Sequence, residues 1–269
     1  MKNSKTVLRA IRIVISLLGA LSLLAAPSHA GRSCEIKPAD ARAVANGLTL
    51  AARTHEALNA GGARVVLLAR AGQDLRRYGL HYSHLGWAYR GIDNRWLVVH
   101  KLNLCGTGEA SLYRQGLGEF FLDDPHRYET SWIVPTADVQ DRMLALLSGN
   151  SRLTALHVKP YSIVSYVWSD KYQQSNQWAL ETLAMAMDSD IRSRVQAQAW
   201  LRYKNFQPTT LTLGPLTRLG GRISAANVAF DDHPNEKRYS DRIETVTVDA
   251  MFAWMQAAGF GGSPQALRL

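Results

Sequence analysis

Apolar residues recur every three or four positions through Ala41, Val44, Leu48, Ala51, His55 and Leu58, which predicts a helix over residues 38–59 that Gly61-Gly62 closes. Residues 64–70 form a short, nearly unbroken apolar run, the pattern of a buried strand. Two further strands are expected over residues 82–90 and 95–103, around turn material at Gly91-Ile92-Asp93-Asn94. Residues 104–132 are rich in Gly, Asp and aromatics without clear period and read as a long loop over the core, where Tyr113, Phe120, Phe121 and Tyr128 either line a groove or pack it down. Thr136 can cap a helix running to Leu147, closed by Gly149. Pro160 precedes an apolar stretch over residues 161–168. Helices follow over residues 175–187, with Trp178, Thr182 and Met185 on one side, and over residues 190–203. The remaining pattern predicts strands at residues 211–213 and 223–230, then a helix over residues 248–258 capped by Thr247 and stopped by Gly259. No Pro/Gly/Ser-rich linker, repeat or low-complexity segment divides this order, so the expected fold is one α+β domain, an antiparallel sheet packed by helices.

The first thirty residues stand apart. Lys2, Lys5, Arg9 and Arg12 precede an apolar run over residues 13–26, and Ser28-His29-Ala30 offers small residues where a signal peptidase reads. A spanning helix needs about 20 apolar residues, more than this run supplies. Residues 1–30 are therefore expected to be a signal peptide cleaved after Ala30. The product would be periplasmic or secreted, without a transmembrane anchor, and residues 31–269 would form a single domain with a C-terminal extension from about residue 190.

Cleavage removes four positive charges and takes the formal net charge from +9 to +5. Basic and acidic residues are mixed in the remainder, with no Lys/Arg run of five or more, which argues against a nucleic-acid partner. In an oxidising compartment the two cysteines, Cys34 and Cys105, are expected to pair. Closing a loop of about 70 residues contributes about 4 kcal/mol in the chain-entropy view. The alternative is that one of them is a reactive thiol.

His84 and His100 are the first candidates for chemistry. A hairpin turn centred near Ile92 sets them opposite one another, with Cβ atoms about 5 Å apart, on a face where Gly86 and Ala88 leave room. Two imidazoles so placed suit a general base oriented by a second histidine. Two partly buried histidines bonded to backbone carbonyls would give the same pattern. A metal site would need His81, or Asp231, Asp232 and His233, in addition, and no tight ligand motif joins them, so neither metal nor cofactor is expected.

Ser83-His84-Leu85-Gly86-Trp87-Ala88-Tyr89 with Trp96-Leu97-Val98-Val99-His100 resembles the strand pair of the circularly permuted NlpC-type papain-like proteins, which include the lecithin:retinol acyltransferase-like enzymes. The resemblance extends to Gln174-Ser175-Asn176-Gln177-Trp178-Ala179-Leu180-Glu181, the helix start that carries the family nucleophile, and covers about residues 64–187. It implies a papain-like fold in permuted order, with the histidine strands before the nucleophile helix. It further implies His84 as base, His100 as its orienting partner and position 175 as nucleophile. Ser175 stands where that family has cysteine, and Gln174 where it has asparagine. The likeness is also close to an uncharacterised family of exported bacterial proteins of similar length.

A serine in the first turn of a helix sits among unpaired N–H groups at the positive end of the dipole, which can hold an oxyanion. The expected activity is an exported hydrolase or acyltransferase on an amide, ester or thioester, using Ser175, His84 and His100, with the Ser175 and Asn176 amides as oxyanion donors and Gln174 in a positioning role. Peptidoglycan peptides or acyl lipids of the cell envelope are the substrates the resemblance implies. A serine hydroxyl is harder to activate than a cysteine thiol, and serine at a helix start is also a common cap. The alternative is therefore a catalytically inactive papain-like protein that binds a cell-envelope ligand. Asp232 and His233, in Asp231-Asp232-His233-Pro234, could form a wall for the substrate, or an exposed turn.

Overall fold

The computed structural model describes residues 40–123, 125–149 and 152–269. The expected signal peptide and Cys34, with its pairing to Cys105, lie outside the described residues. Helix α1 (Ala41–Ala60) begins at Asp40, whose side chain accepts from the Arg42 amide. Strand β1 (Val65–Arg70) is buried along its whole length, as its apolar run requires. Strands β2 (His84–Arg90) and β3 (Trp96–Asn103) form the expected hairpin.

The long loop expected over residues 104–132 is instead largely ordered into β4 (Ala110–Gly116), the short helix α2 (Leu117–Leu122) and β5 (Glu129–Ile133). Strand β4 lies at the sheet edge and is half-buried on both faces, so alternation is faint there. Phe120 and Phe121 pack down as fully buried side chains. Next come α3 (Ala137–Ser148), α4 (Ser175–Met187), α5 (Arg194–Tyr203), β6 (Thr209–Thr212), α6 (Pro215–Ser224), α7 (Asn235–Arg238), β7 (Arg242–Thr245), α8 (Val248–Ala257) and β8 (Gln265–Arg268). The strand expected over residues 223–230 is not formed: Ile223 lies in the last turn of α6 and is exposed, and a turn follows.

The main sheet has six strands in the order β4-β3-β2-β1-β5-β8, and every pairing is antiparallel. Strands β6 and β7 make a separate two-stranded ribbon. Both faces of the main sheet are covered. Val66, Leu68, Ala88 and Val98 point to the layer built by α1 and α2, where Leu50, Leu58, Phe120 and Phe121 pack. Val65, Leu67, Leu85, Trp87 and Val99 point to the other layer, built by α3, α4, α5 and α8. The alternation of β2 and β3 thus divides the molecule into two cores. The C-terminal part belongs to the same domain: α8 gives Met251, Phe252 and Met255 to the larger core, and β8 forms one edge of the main sheet beside β5. The fold is α+β with an antiparallel sheet. No helix among the described residues is long and apolar enough to cross a membrane.

Helix α4 is buried on every side over residues 175–185. A helix so enclosed must satisfy its polar side chains internally. Glu181 receives Arg194 Nε at 2.8 Å, Gln198 Nε2 at 2.9 Å and Gln173 Nε2 at 2.6 Å. Gln173 Oε1 in turn accepts from the Lys101 ammonium at 2.8 Å. Burial pulls that ammonium down to about 7.

Candidate functional site

The β2–β3 hairpin turns through three residues, 92–94, with the Gly91 amide donating to Arg95 O at 2.8 Å and Asn94 at a left-handed φ of 61°. Trp87 pairs with Val99 and Arg90 with Trp96. The turn is therefore centred on Asp93, and the register differs by two residues from the one expected. His100 stands across from Gly86, and His84 is its diagonal neighbour. A two-residue shift keeps both histidines on one face, because side chains alternate with period two. They meet all the same: His84 Nε2 and His100 Nδ1 are 2.8 Å apart. Gly86 makes this possible. A Cβ there would lie 2.9 Å from His100 Cβ and 2.7 Å from Val98 Cγ1, so a side chain would fill the space the imidazoles share.

A third residue extends the chain. His100 Nε2 is 2.7 Å from Gln115 Oε1 on β4. With that carbonyl accepting, His100 carries its proton on Nε2, and its Nδ1 accepts from His84 Nε2–H. The lone pair of neutral His84 then lies on Nδ1, which makes no hydrogen bond among the described residues. Phe120 packs its ring against both imidazoles, with centroids 6.0 and 5.2 Å away. Arg70, directly opposite His84 on β1, stacks on Phe120 and binds the Asp123 carboxylate. Burial, and then the Arg70 charge, hold His84 well below the usual imidazole range; the same causes bring His100 down to about 4. Both rings are neutral at neutral pH.

Ser175 opens α4 but does not cap it. The cap is Gln174, whose side-chain oxygen accepts from the Asn176 amide at 3.3 Å. Its nitrogen donates to Thr245 Oγ1 at 2.8 Å and Val246 O at 2.6 Å, tying the helix start to the end of β7. Asn176 reaches the sheet, its Oδ1 accepting from the Leu85 amide at 3.2 Å. Gln174 and Asn176 thus fix where α4 begins relative to β2. The expected use of the Asn176 amide as an oxyanion donor meets an obstacle, since Gln174 already accepts from it. The Ser175 amide has no acceptor among the described residues. The Ser175 side chain contacts the buried Tyr161 phenol, whose pKa burial raises and this contact lowers in part.

His84, Ser175, Gln174 and Asn176 all line one cavity of about 620 Å³, together with Arg70 and Tyr161. No hydrogen bond joins Ser175 to His84. Its lining combines the polar Arg70, His84, Asp123 and Ser175 with the apolar Ile163, Leu213, Val228 and Phe230.

A family profile described as "Uncharacterized protein conserved in bacteria (DUF2145)" matches residues 57–255. The chain belongs to this family. The matched span of this DUF2145 chain runs from the end of α1 into α8 and contains both histidines, Gln115 and Ser175. Comparison with curated proteins and with solved structures found no match.

Asp232 and His233 are not brought to the DUF2145 cavity. Asp232 accepts from the Tyr166 amide at 2.7 Å and faces His233 Nδ1 at 2.9 Å, with both side chains fully buried. They brace a turn against Tyr166 and β7, and are not the exposed turn that the polar run ahead of Pro234 suggests; of residues 231–234 only Asp231 is exposed, paired with Lys171 at 2.5 Å. His81 is bound to Glu129 at 2.6 Å. Among the described residues no group of three His, Cys, Asp or Glu side chains is placed to hold a metal ion. Reading the sequence missed Gln115, Arg70 and Tyr161. Arg70 carried a signal, as the charge that ends an otherwise apolar strand; Gln115 and Tyr161 carried none, because their roles depend on pairings between distant strands and loops.

Proposed function

We propose that this chain is an exported hydrolase or acyltransferase acting on an amide, ester or thioester, built on a permuted papain-like arrangement. The supporting observation is that the open nitrogen of a hydrogen-bonded histidine pair belongs to the residue that shares a cavity with Ser175. In the proposed reaction Ser175 Oγ attacks the carbonyl carbon while its proton passes to His84 Nδ1. The tetrahedral oxyanion is held by the Ser175 amide and the positive end of α4. Collapse expels the leaving group, which takes the proton from His84 and leaves an acyl-serine. Water, or an acceptor hydroxyl or amine, then repeats the sequence and frees the acyl group. His100, fixed by Gln115, orients His84 throughout. Gln174 and Asn176 act as positioning residues. The cavity volume lies in the range of small-molecule sites. Likeness to the papain-like group suggests peptidoglycan peptides or acyl lipids as substrates.

One observation favours the alternative, a catalytically inactive cell-envelope ligand-binding protein. The imidazoles lie with Val98 and Phe120 on the face of the sheet that α1 and α2 cover, whereas α4 packs on the other face against Leu85 and Trp87, so His84 and Ser175 share the cavity only around the end of β2. Ser175 contacts Tyr161 and makes no bond to His84. A fluorophosphonate probe separates the readings. Labelling that disappears in Ser175→Ala and in His84→Ala is the expected result. No labelling of the folded wild-type chain, with ligand binding kept in Ser175→Ala, would establish the binding protein instead.

A further inference from the structure

Helix α6 carries its amphipathic pattern inside out. A surface helix normally buries its apolar stripe and shows its polar face to water. In α6 Leu216, Leu219 and Ile223 share one stripe and are 84%, 55% and 78% exposed. Gly221 is its one buried residue, and Thr217 and Gly221 line the cavity on the opposite side. Three large aliphatic side chains left in water each forgo about 1.5–3 kcal/mol of burial, which points to a surface that is covered in use.

The charges around the stripe say by what. The basic residues on α6 and on the segment hydrogen-bonded to it are Arg218, Arg222, Arg238 and Arg242. On α6 itself Arg222 is exposed beside the stripe. Arg218 donates to Ser240 O at 2.8 Å and to Arg238 O, which brings residues 238–240 alongside the helix. There Tyr239, 77% exposed, stacks under the Arg238 guanidinium at 5.6 Å. The exposed acids nearby are Glu236 and Asp241, while Glu244 is paired with Lys237. A second copy of the chain would bring like arginines together across a twofold axis. The stripe also spans only about 10 Å of helix, far short of the roughly 800 Å² per partner of a stable dimer. Aliphatic side chains flanked by arginines and an aromatic fit the boundary between acyl chains and anionic headgroups.

We infer that the outer face of α6, with Tyr239 and Arg222, docks on an anionic lipid surface and holds the cavity beside it. This does not depend on Ser175 chemistry. Because the apolar run over residues 13–26 would itself enter lipid, the experiment uses the chain beginning at Gly31, which keeps every described residue. It is co-sedimented with phosphatidylcholine vesicles, with and without phosphatidylglycerol. Binding is expected only to the anionic vesicles, to weaken at high salt, and to fall about tenfold or more in Leu219→Ser/Ile223→Ser and measurably in Arg222→Gln. These exposed substitutions leave the fold intact, checked by an unchanged melting curve. Absence of vesicle binding, or equal binding by the double variant, would overturn the inference. So would a wild-type dimer that the double variant dissociates, which would assign the face to a second copy.

Discussion

His100 stands across the sheet from Gly86, and its ring reaches diagonally to His84 over the space where Gly86 has no side chain. The relationship makes the histidine pair depend on a residue that carries no chemistry of its own.

Gly86→Ala is expected to disrupt it. The added methyl would lie 2.7 Å from Val98 Cγ1 and 2.9 Å from His100 Cβ, both in a packed core. Overpacking of this kind costs about 1–3 kcal/mol. Urea unfolding reads the loss of stability. Histidine ring NMR should show the hydrogen-bonded proton between the imidazoles gone, and its retention would contradict the geometry.

Acid should destabilise the fold before ordinary carboxylates titrate. The folded chain binds a proton at His100 only near pH 4, against 6.5 for the unfolded side chain. Between those values the unfolded state binds more protons, so stability rises with pH. The contribution is fully present above 6.5 and is lost as pH falls toward 4. For His100 alone it is on the order of 3 kcal/mol. His84, shifted the same way, adds to it. Denaturant midpoints across this range should fall with acid in the wild type and fall less in His100→Gln.

Gln115→Glu places a carboxylate where a neutral carbonyl now accepts from His100. An adjacent negative charge favours the imidazolium. The His100 ring should then titrate clearly above its value of about 4, as read by NMR. An unmoved titration would mean that β4 does not hold His100 through this residue.

Arg194→Ala should be among the most damaging single changes. It leaves the Glu181 carboxylate buried with only amide donors, where Arg194 now contacts both oxygens at 2.8 and 3.1 Å. Removing one partner of a buried ion pair costs about 3–5 kcal/mol. Adding Glu181→Gln should recover part of the loss, because no unpaired charge remains. Thermal melts of the single and double variants measure both effects.

Much of the architecture was legible in local pattern. The helices at residues 41–60, 137–148, 175–187 and 248–257 and the central three strands stand close to where spacing placed them, since each carries a strong period and clear stops. Strand β4 and helix α2 were hidden because an edge strand buries little and a six-residue helix has no full period. Strands β7 and β8 are only four residues long, too short for alternation to reveal them.

The sequence by itself determined that His84 and His100 share a face, because parity along a strand survives a two-residue change of register. It also determined that a polar segment begins the helix at Ser175. Only the tertiary structure decided that the histidines meet diagonally, that Gln115 and Arg70 complete their surroundings, that Gln174 and not Ser175 caps the helix, and that Asp232 and His233 turn away from the cavity. Those outcomes depend on which backbones lie side by side, and side-chain chemistry along a single strand carries no record of its distant neighbours.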